Sequence, residues 1–315
     1  MPGHVAHVEI ARTVLDALTN DQALTWQADP EVLNALFHGA LDPDMGHFPG
    51  GDPLVTDLAH YVKTAELARN LVRLASNDVE LAYAWGWVSH VIADTDLHPA
   101  INRACGLRRY GTAARPMTWA ESASTHMRVE LGLDTVRLSR DETLRRIRLH
   151  DVFDRSKVRF LSKAFRDTYG VDLDEHKLLR GHRVVNQAQR AFFSMGEAVG
   201  RKSMGMPIRL RDLPLNLVSF PIRWLSRLTP DSVVYAVTHP LPPPPWLDEE
   251  LDTALTVLPT RFAGLLDGDL RDLRDLPDVN LDTGTVDDPA EPYLPTVRTK
   301  QTLERRLQGG IGSQG

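Results

Sequence analysis

An all-α fold, a multi-helix bundle, is what this sequence predicts, on three observations. Apolar residues recur at three- and four-residue intervals through most of the first 265 residues. Alternating stretches flanked by hairpin turns are scarce. The run WGWVSHVIADTDLHP, residues 85 to 99, sets His90, Asp94 and His98 at four-residue intervals, a spacing that shares one face only on a helix.

The elements follow in order. A first helix is expected over roughly HVAHVEIARTVLDALT, with Val5, Ile10, Val14 and Leu18 near one face and a polar turn at NDQ to end it. A short helix runs from Pro30 to about His38. Residues 39 to 53, GALDPDMGHFPGGDP, hold four glycines and three prolines, so a loop is expected there rather than a regular helix. Loops of this kind often carry function. Three more helices are expected over LVTDLAHYVKTAELARNLVRLA, VELAYAWGWVSHVIADTDLH and WAESASTHMRVELGLDTVRL. The second of these ends near Pro99, because proline disfavours helical geometry in the residue before it. Residues 141 to 205 read as further helices with a charged, solvated face. PLPPPPW at 240 to 246 is a stiff connector to a last amphipathic helix, and the chain beyond about 267 is rich in Asp, Gly, Pro and Thr. The expected organisation is a helical core carrying the chemistry over 1–140, helices completing the same domain over 141–266, and a flexible tail over 267–315.

Composition narrows the chemistry. The 315 residues, 42% hydrophobic and 25% charged, suit a packed globular protein. A net charge of −6 argues against a dedicated nucleic-acid surface but leaves a small nucleotide substrate open. Cys105 is the only cysteine, so neither an intramolecular disulfide nor a thiolate metal cluster can form, and any metal ligands must be His, Asp or Glu. The start, MPGHVAHVEI, has no leader-like pattern, and no run of about 18 uncharged apolar residues occurs. A cytoplasmic location is the expectation by default.

Two helical pairs carry the candidate site. His90 with Asp94, and His126 with Glu130, each present an imidazole and a carboxylate one turn apart, and His98 extends the first pair by another turn. A single pair of this kind is more often a surface ion pair or a hydrogen-bonded helix contact than a metal site. The joint pattern says more, because eight of the twelve histidines fall in the first 126 residues and the pairs lie among Val88, Val91, Ile92, Ala93, Val129 and Leu131. Burying carboxylates there costs on the order of several kcal/mol unless a partner offsets it, and a cation such as zinc is a suitable partner. Gly86, one turn before His90, leaves the stripe open either to a non-protein group or to close helix packing.

In chain order, AHVEIA, GALDPD, DLAHYV, GWVSHVIADTDLHP and STHMRVELGLD resemble the zinc-dependent phospholipase C family, with the single-strand-specific zinc nucleases as relatives; the resemblance runs from about residue 4 to about residue 134. It implies an all-α bundle with two to three zinc ions between its helices. By this resemblance His7 binds one zinc, and Asp94 bridges it to a second that also takes Asp44, His60 and His90. A third is held by His98, His126 and Glu130. The resemblance further implies a phosphodiester hydrolase, phospholipase C-like, that uses a metal-activated water for in-line attack on phosphorus, with Asp44 as candidate base.

Several residues compete for these places. Secreted members of the family use a processed N-terminal amine as a ligand, whereas this chain begins MPGHVAH; His4 is either its substitute or a solvent-exposed histidine. His47 competes with His60, which is preferred because it sits within a helical pattern. Asp42 competes with Asp44, which fits the family's order. Asp96 points to another helix face, and Tyr83, Trp85 and Trp87 read as core. His38 reads as a helix-end histidine, and His150, His176, His182 and His239 as structural or surface residues.

The expected substrate is a phospholipid or another phosphodiester. LPLNLVSFPIRWLSRL, residues 213 to 228, places Leu213, Leu217, Phe220, Trp224 and Leu228 on one stripe near arginines, which suits either peripheral membrane contact or packing on the bundle. The alternative functions are a nuclease or nucleotide phosphodiesterase of the related type, and a non-catalytic metal-binding helical module. The adjacent His150-Asp151 doublet points to a different phosphohydrolase chemistry but lies outside the cluster.

Overall fold

A computed structural model describes residues 3–18, 25–48, 50–147, 149–150, 155–191, 197–207, 221, 224, 227–228, 233–265, 273 and 276–286. Among these residues there is no strand, only one isolated bridge between Asn280 and Thr285. The helices are α1 (His4–Ala17), α2 (Pro30–Leu41), a 3-10 turn (Asp42–His47), α3 (Pro53–Tyr61), α4 (Thr64–Leu74), α5 (Asp78–Tyr110), α6 (Ala123–Arg140), α7 (Glu142–Arg146), α8 (Arg155–Tyr169), α9 (Glu175–Ala191), α10 (Glu197–Ser203), α11 (Val233–Thr238) and α12 (Pro245–Leu265). The all-α expectation holds. The chain forms two compact units, one from Met1–Glu9, Asp96–Arg148 and Gln187–Thr256, the other from Ile10–Thr95, Leu149–Asn186 and Val257–Gly315.

The second unit is built around the first part of α5, where Trp85 and Trp87 are fully buried and Trp87 meets Phe165 of α8 edge-on at 6.2 Å. Tyr83 is also core. Three expectations are corrected here. The glycine- and proline-rich segment is not a plain loop: α2 runs to Leu41, and Asp42–His47 is a 3-10 turn with Pro43 in its first positions, where a missing N–H costs nothing. The long helix expected over residues 54–75 is two helices, broken where Lys63 takes a left-handed backbone at φ 49°. Helix α5 does not stop at Pro99 but continues to Tyr110, because Ile101, Ala104 and Cys105 carry on its buried face. That burial outweighs a proline cost of about 3 kcal/mol.

Within the stretch expected to be a flexible tail, residues 276–286 pack onto this unit: Leu276, Val279 and Leu281 are buried, and Asp278 accepts the Ala65 N–H at the start of α4 (2.7 Å). Apart from Leu273, the rest of that stretch lies outside the described residues.

In the first unit, Asp134 of α6 caps the start of α1 by accepting the N–H groups of Val5 and Ala6, each at 3.1 Å. Gly3 makes this possible, since a Cβ there would lie 2.2 Å from the Asp134 carboxyl carbon. Arg137, one turn on from Asp134, bonds Glu9, Asp248 and Asp252. The proline connector runs along α6, with the Leu241 N–H on the Arg128 carbonyl (2.8 Å) and Arg128 Nε on the His239 carbonyl (2.7 Å). Residues 213–228, apart from 221, 224, 227 and 228, lie outside the described residues. No helix among the described residues is long and apolar enough to cross a membrane.

Candidate metal centre

Asp44, His60, His90 and Asp94 come together in the second unit. They are carried by the 3-10 turn, α3 and α5, and none is more than 3% exposed. Local chemistry fixes the turn against α3. Thr56 donates its hydroxyl to the Pro43 carbonyl and accepts the Gly46 N–H, both at 2.7 Å, while Asp52 caps α3 by accepting the Leu54 N–H. Asp44 and His60 are thereby held face to face, with 3.1 Å between Asp44 Oδ1 and His60 Nε2.

Glycines set the other side. A Cβ on Gly86 would lie 2.0 Å from the Leu36 carbonyl oxygen, and one on Gly39 would lie 1.9 Å from that of Tyr83. Of the two readings of Gly86, close helix packing is therefore the one observed. The near contact of α2 and α5 brings the Ala40 carbonyl to His90 Nδ1, which donates to it at 2.9 Å. His60 Nδ1 likewise donates to the Thr56 carbonyl at 2.8 Å.

With both Nδ1 atoms committed as donors, Nε2 is the atom each ring turns toward the cluster, a lone-pair end whenever the ring is unprotonated, and the two approach to 3.2 Å. Asp94 Oδ2 lies 3.2 Å from His90 Nε2 and 3.4 Å from His60 Nε2. These electron-rich atoms repel one another unless positive charge sits among them. A proton supplies some of it: burial opposes an imidazolium, but Asp44 and Asp94 outweigh burial and raise His60 from 6.5 to about 10. A divalent cation supplies more. Two ligands at about 2.0–2.2 Å from a tetrahedral zinc lie about 3.3–3.6 Å apart, close to the spacing seen here. The donor set of imidazole nitrogen and carboxylate oxygen fits that ion.

A second cluster, of three residues, forms in the first unit. His98 of α5 and His126 and Glu130 of α6 are at most 2% exposed, and one ligand atom from each lies within 4.8 Å of the others. His126 Nδ1 is 2.8 Å from Glu130 Oε1, and His98 Nε2 is 3.9 Å from the same oxygen. His126 Nε2 meets Asn102 Oδ1 at 2.8 Å, so the amide oxygen orients the ring and leaves Nδ1 toward the carboxylate. The sequence reading missed Asn102 and Thr56, whose only signal is proximity to the expected ligands.

The other candidates are also placed. His7 is carried by α1 and is fully buried. His4 is 9% exposed rather than solvent-facing, because its helix start is covered within the first unit. His47 ends the 3-10 turn, 18% exposed and 4.0 Å from Asp44 Oδ1, beside the cluster rather than within it. Asp96 faces solvent. Asp42 meets His182 and Tyr83, whereas Asp44 meets His60, so the loop carboxylate of this cluster is Asp44. His38 lies in the last turn of α2, as expected, and is fully buried; His182 is a buried structural residue whose partner, Asp42, lies 140 residues away in sequence. His150 lends its carbonyl to His38, and Asp151 lies outside the described residues.

A family model described as zinc dependent phospholipase C matches residues 6–178, more than half of the chain. No curated protein and no solved structure matches it.

Proposed function

Because the chain belongs to the zinc-dependent phospholipase C family, we propose that it hydrolyses the phosphodiester bond of a phospholipid, with zinc held by the two buried clusters. His60, His90, Asp94 and Asp44 are the ligands in one unit and His98, His126 and Glu130 in the other, while the role of His7 as a further ligand follows from the family resemblance. One observation carries the reading most: two imidazoles tied through Nδ1 to backbone carbonyls turn their Nε2 atoms on one another at 3.2 Å, amid carboxylates.

Zinc bound at such residues polarises a phosphoryl oxygen and lowers the pKa of a nearby water. The protein's own residues then have defined tasks. Ala40 and Thr56 fix the imidazole tautomers through their carbonyls, and Thr56 also holds the turn that presents Asp44. Asp44 orients the attacking water and accepts its proton as the new O–P bond forms in line with the breaking bond to the glycerol oxygen, which leaves as a hydroxyl by taking a proton from solvent. The products are a phosphorylated head group and a diacylglycerol. No side chain needs to act as nucleophile.

The test is metal analysis of the purified chain together with hydrolysis of choline and ethanolamine phospholipids and of nucleotide diesters, before chelation, after it, and after zinc is restored. The expected result is bound zinc at both clusters, at least about two ions per chain, and lipid hydrolysis that is lost on chelation and regained with zinc. Cleavage of nucleotide diesters alone transfers the assignment to the related nucleases, and absence of metal at neutral pH leaves a helical module.

A further inference from the structure

His38, Asp42 and His182 lie outside the ligand set above, yet all three are fully buried and offer one ligand atom each within 4.8 Å of one another. We propose that they form an additional site for a divalent transition-metal ion, zinc being the natural occupant. A metal at this site requires no catalytic role for the other two clusters.

The geometry comes from three parts of the second unit. His38 sits in the last turn of α2, and Asp42 caps that helix with its own N–H on the His38 carbonyl. His182 reaches them from α9. Its Nδ1 lies 3.0 and 3.2 Å from the two oxygens of Asp42, and its ring centroid is 4.6 Å from that of His38. The surrounding contacts resemble those that orient metal ligands. His38 Nε2–H donates to the His150 carbonyl at 2.7 Å, which places the lone pair of the neutral ring on Nδ1. The Tyr83 hydroxyl donates to Asp42 Oδ2 at 3.1 Å and steadies the carboxylate.

Two imidazoles and one carboxylate suit zinc and its transition-metal neighbours, whereas calcium and magnesium take oxygen ligands. Three protein ligands leave a fourth position for a water. An ion here would join the end of α2, the start of the turn that carries Asp44, and α9. The competing arrangement is a metal-free ion pair between His182 and Asp42. A spacing near 3 Å suits either a direct hydrogen bond or two ligands of one ion.

Crystals of the full chain grown in zinc and measured at the zinc absorption edge decide between them. The expected map shows anomalous density among His38 Nδ1, the Asp42 carboxylate and the His182 ring. By mass spectrometry after dialysis, His182→Gln and Asp42→Asn should each carry about one zinc fewer per chain. Glu130→Gln, in the other trio, should keep the density at His38. A map without density there at saturating zinc overturns the proposal, as do folded variants with unchanged zinc content. If a variant does not fold, the map of the unaltered chain decides alone. Density here with none at His60 and His90 would sustain this site and refute the functional reading; the reverse would do the opposite.

Discussion

His60 sits between Asp44 and Asp94, and its raised pKa makes zinc uptake a competition with a proton. Metal-free protein at pH 8 carries His60 protonated, so zinc binding should release that proton, and calorimetry in buffers of different ionisation enthalpy should register it. For the metal-free fold the sign is fixed. A histidine raised from 6.5 to about 10 contributes stability that is fully present below 6.5 and is lost as pH rises through about 10. Asn102 gives a second test, because it bonds His126 through Nε2 while Glu130 is met through Nδ1. Asn102→Ala should weaken zinc binding by about 10–100-fold in a competition titration, with helix content unchanged. At this scale the sequence is legible where a pair shares one helix face, as His90 with Asp94 and His126 with Glu130 do. His38 and Asp42 have the same spacing but lie at a helix end beside a proline-rich run, and His182 lies far along the chain, where no local pattern can connect them.

Packing between elements sets how well those residues are presented. The contact of Gly39 with Gly86 lets the Ala40 carbonyl reach His90. Gly86→Ala forces α2 away from α5, because the new methyl would meet a backbone oxygen rather than a flexible side chain. The expected loss is about 1–3 kcal/mol by chemical denaturation, the range for overpacked cores, with weaker zinc binding alongside it. Apolar periodicity made most of the helices readable, but their ends escaped it. Pro99 is a strong local stop signal overridden by buried residues beyond it, and the break at Lys63 depends on partners such as Asp278, more than two hundred residues later.

Over the whole molecule, each compact unit is assembled from three distant segments, so the all-α class could be read from local periodicity whereas the partition could not. Asp134 shows how such long-range assembly reaches solution behaviour. Its carboxyl is pushed up from 3.8 to about 7, by burial first and by the charge of Glu9 besides, against the pull of the Val5 and Ala6 N–H groups. The protonated form is thus favoured in the fold. Its contribution to stability is fully present below pH 3.8 and is lost as pH rises through about 7. Relative to Asp134→Asn, the unaltered chain should lose melting temperature as pH rises across that window; a constant difference would refute the assignment. The family match ends at residue 178, yet Leu281 donates its N–H to the His60 carbonyl at 2.9 Å, so part of the support for a ligand helix comes from beyond the matched region.

If the buried imidazoles and carboxylates are zinc ligands, X-ray absorption at the zinc edge will see them on the full chain dialysed free of loose metal. The expected spectrum has nitrogen and oxygen neighbours at about 2.0–2.2 Å with the multiple scattering of imidazole, and loses much of that signal in the double variant His90→Ala, His126→Ala. A chain that retains no zinc, or a double variant whose spectrum and metal content match the parent, would contradict it.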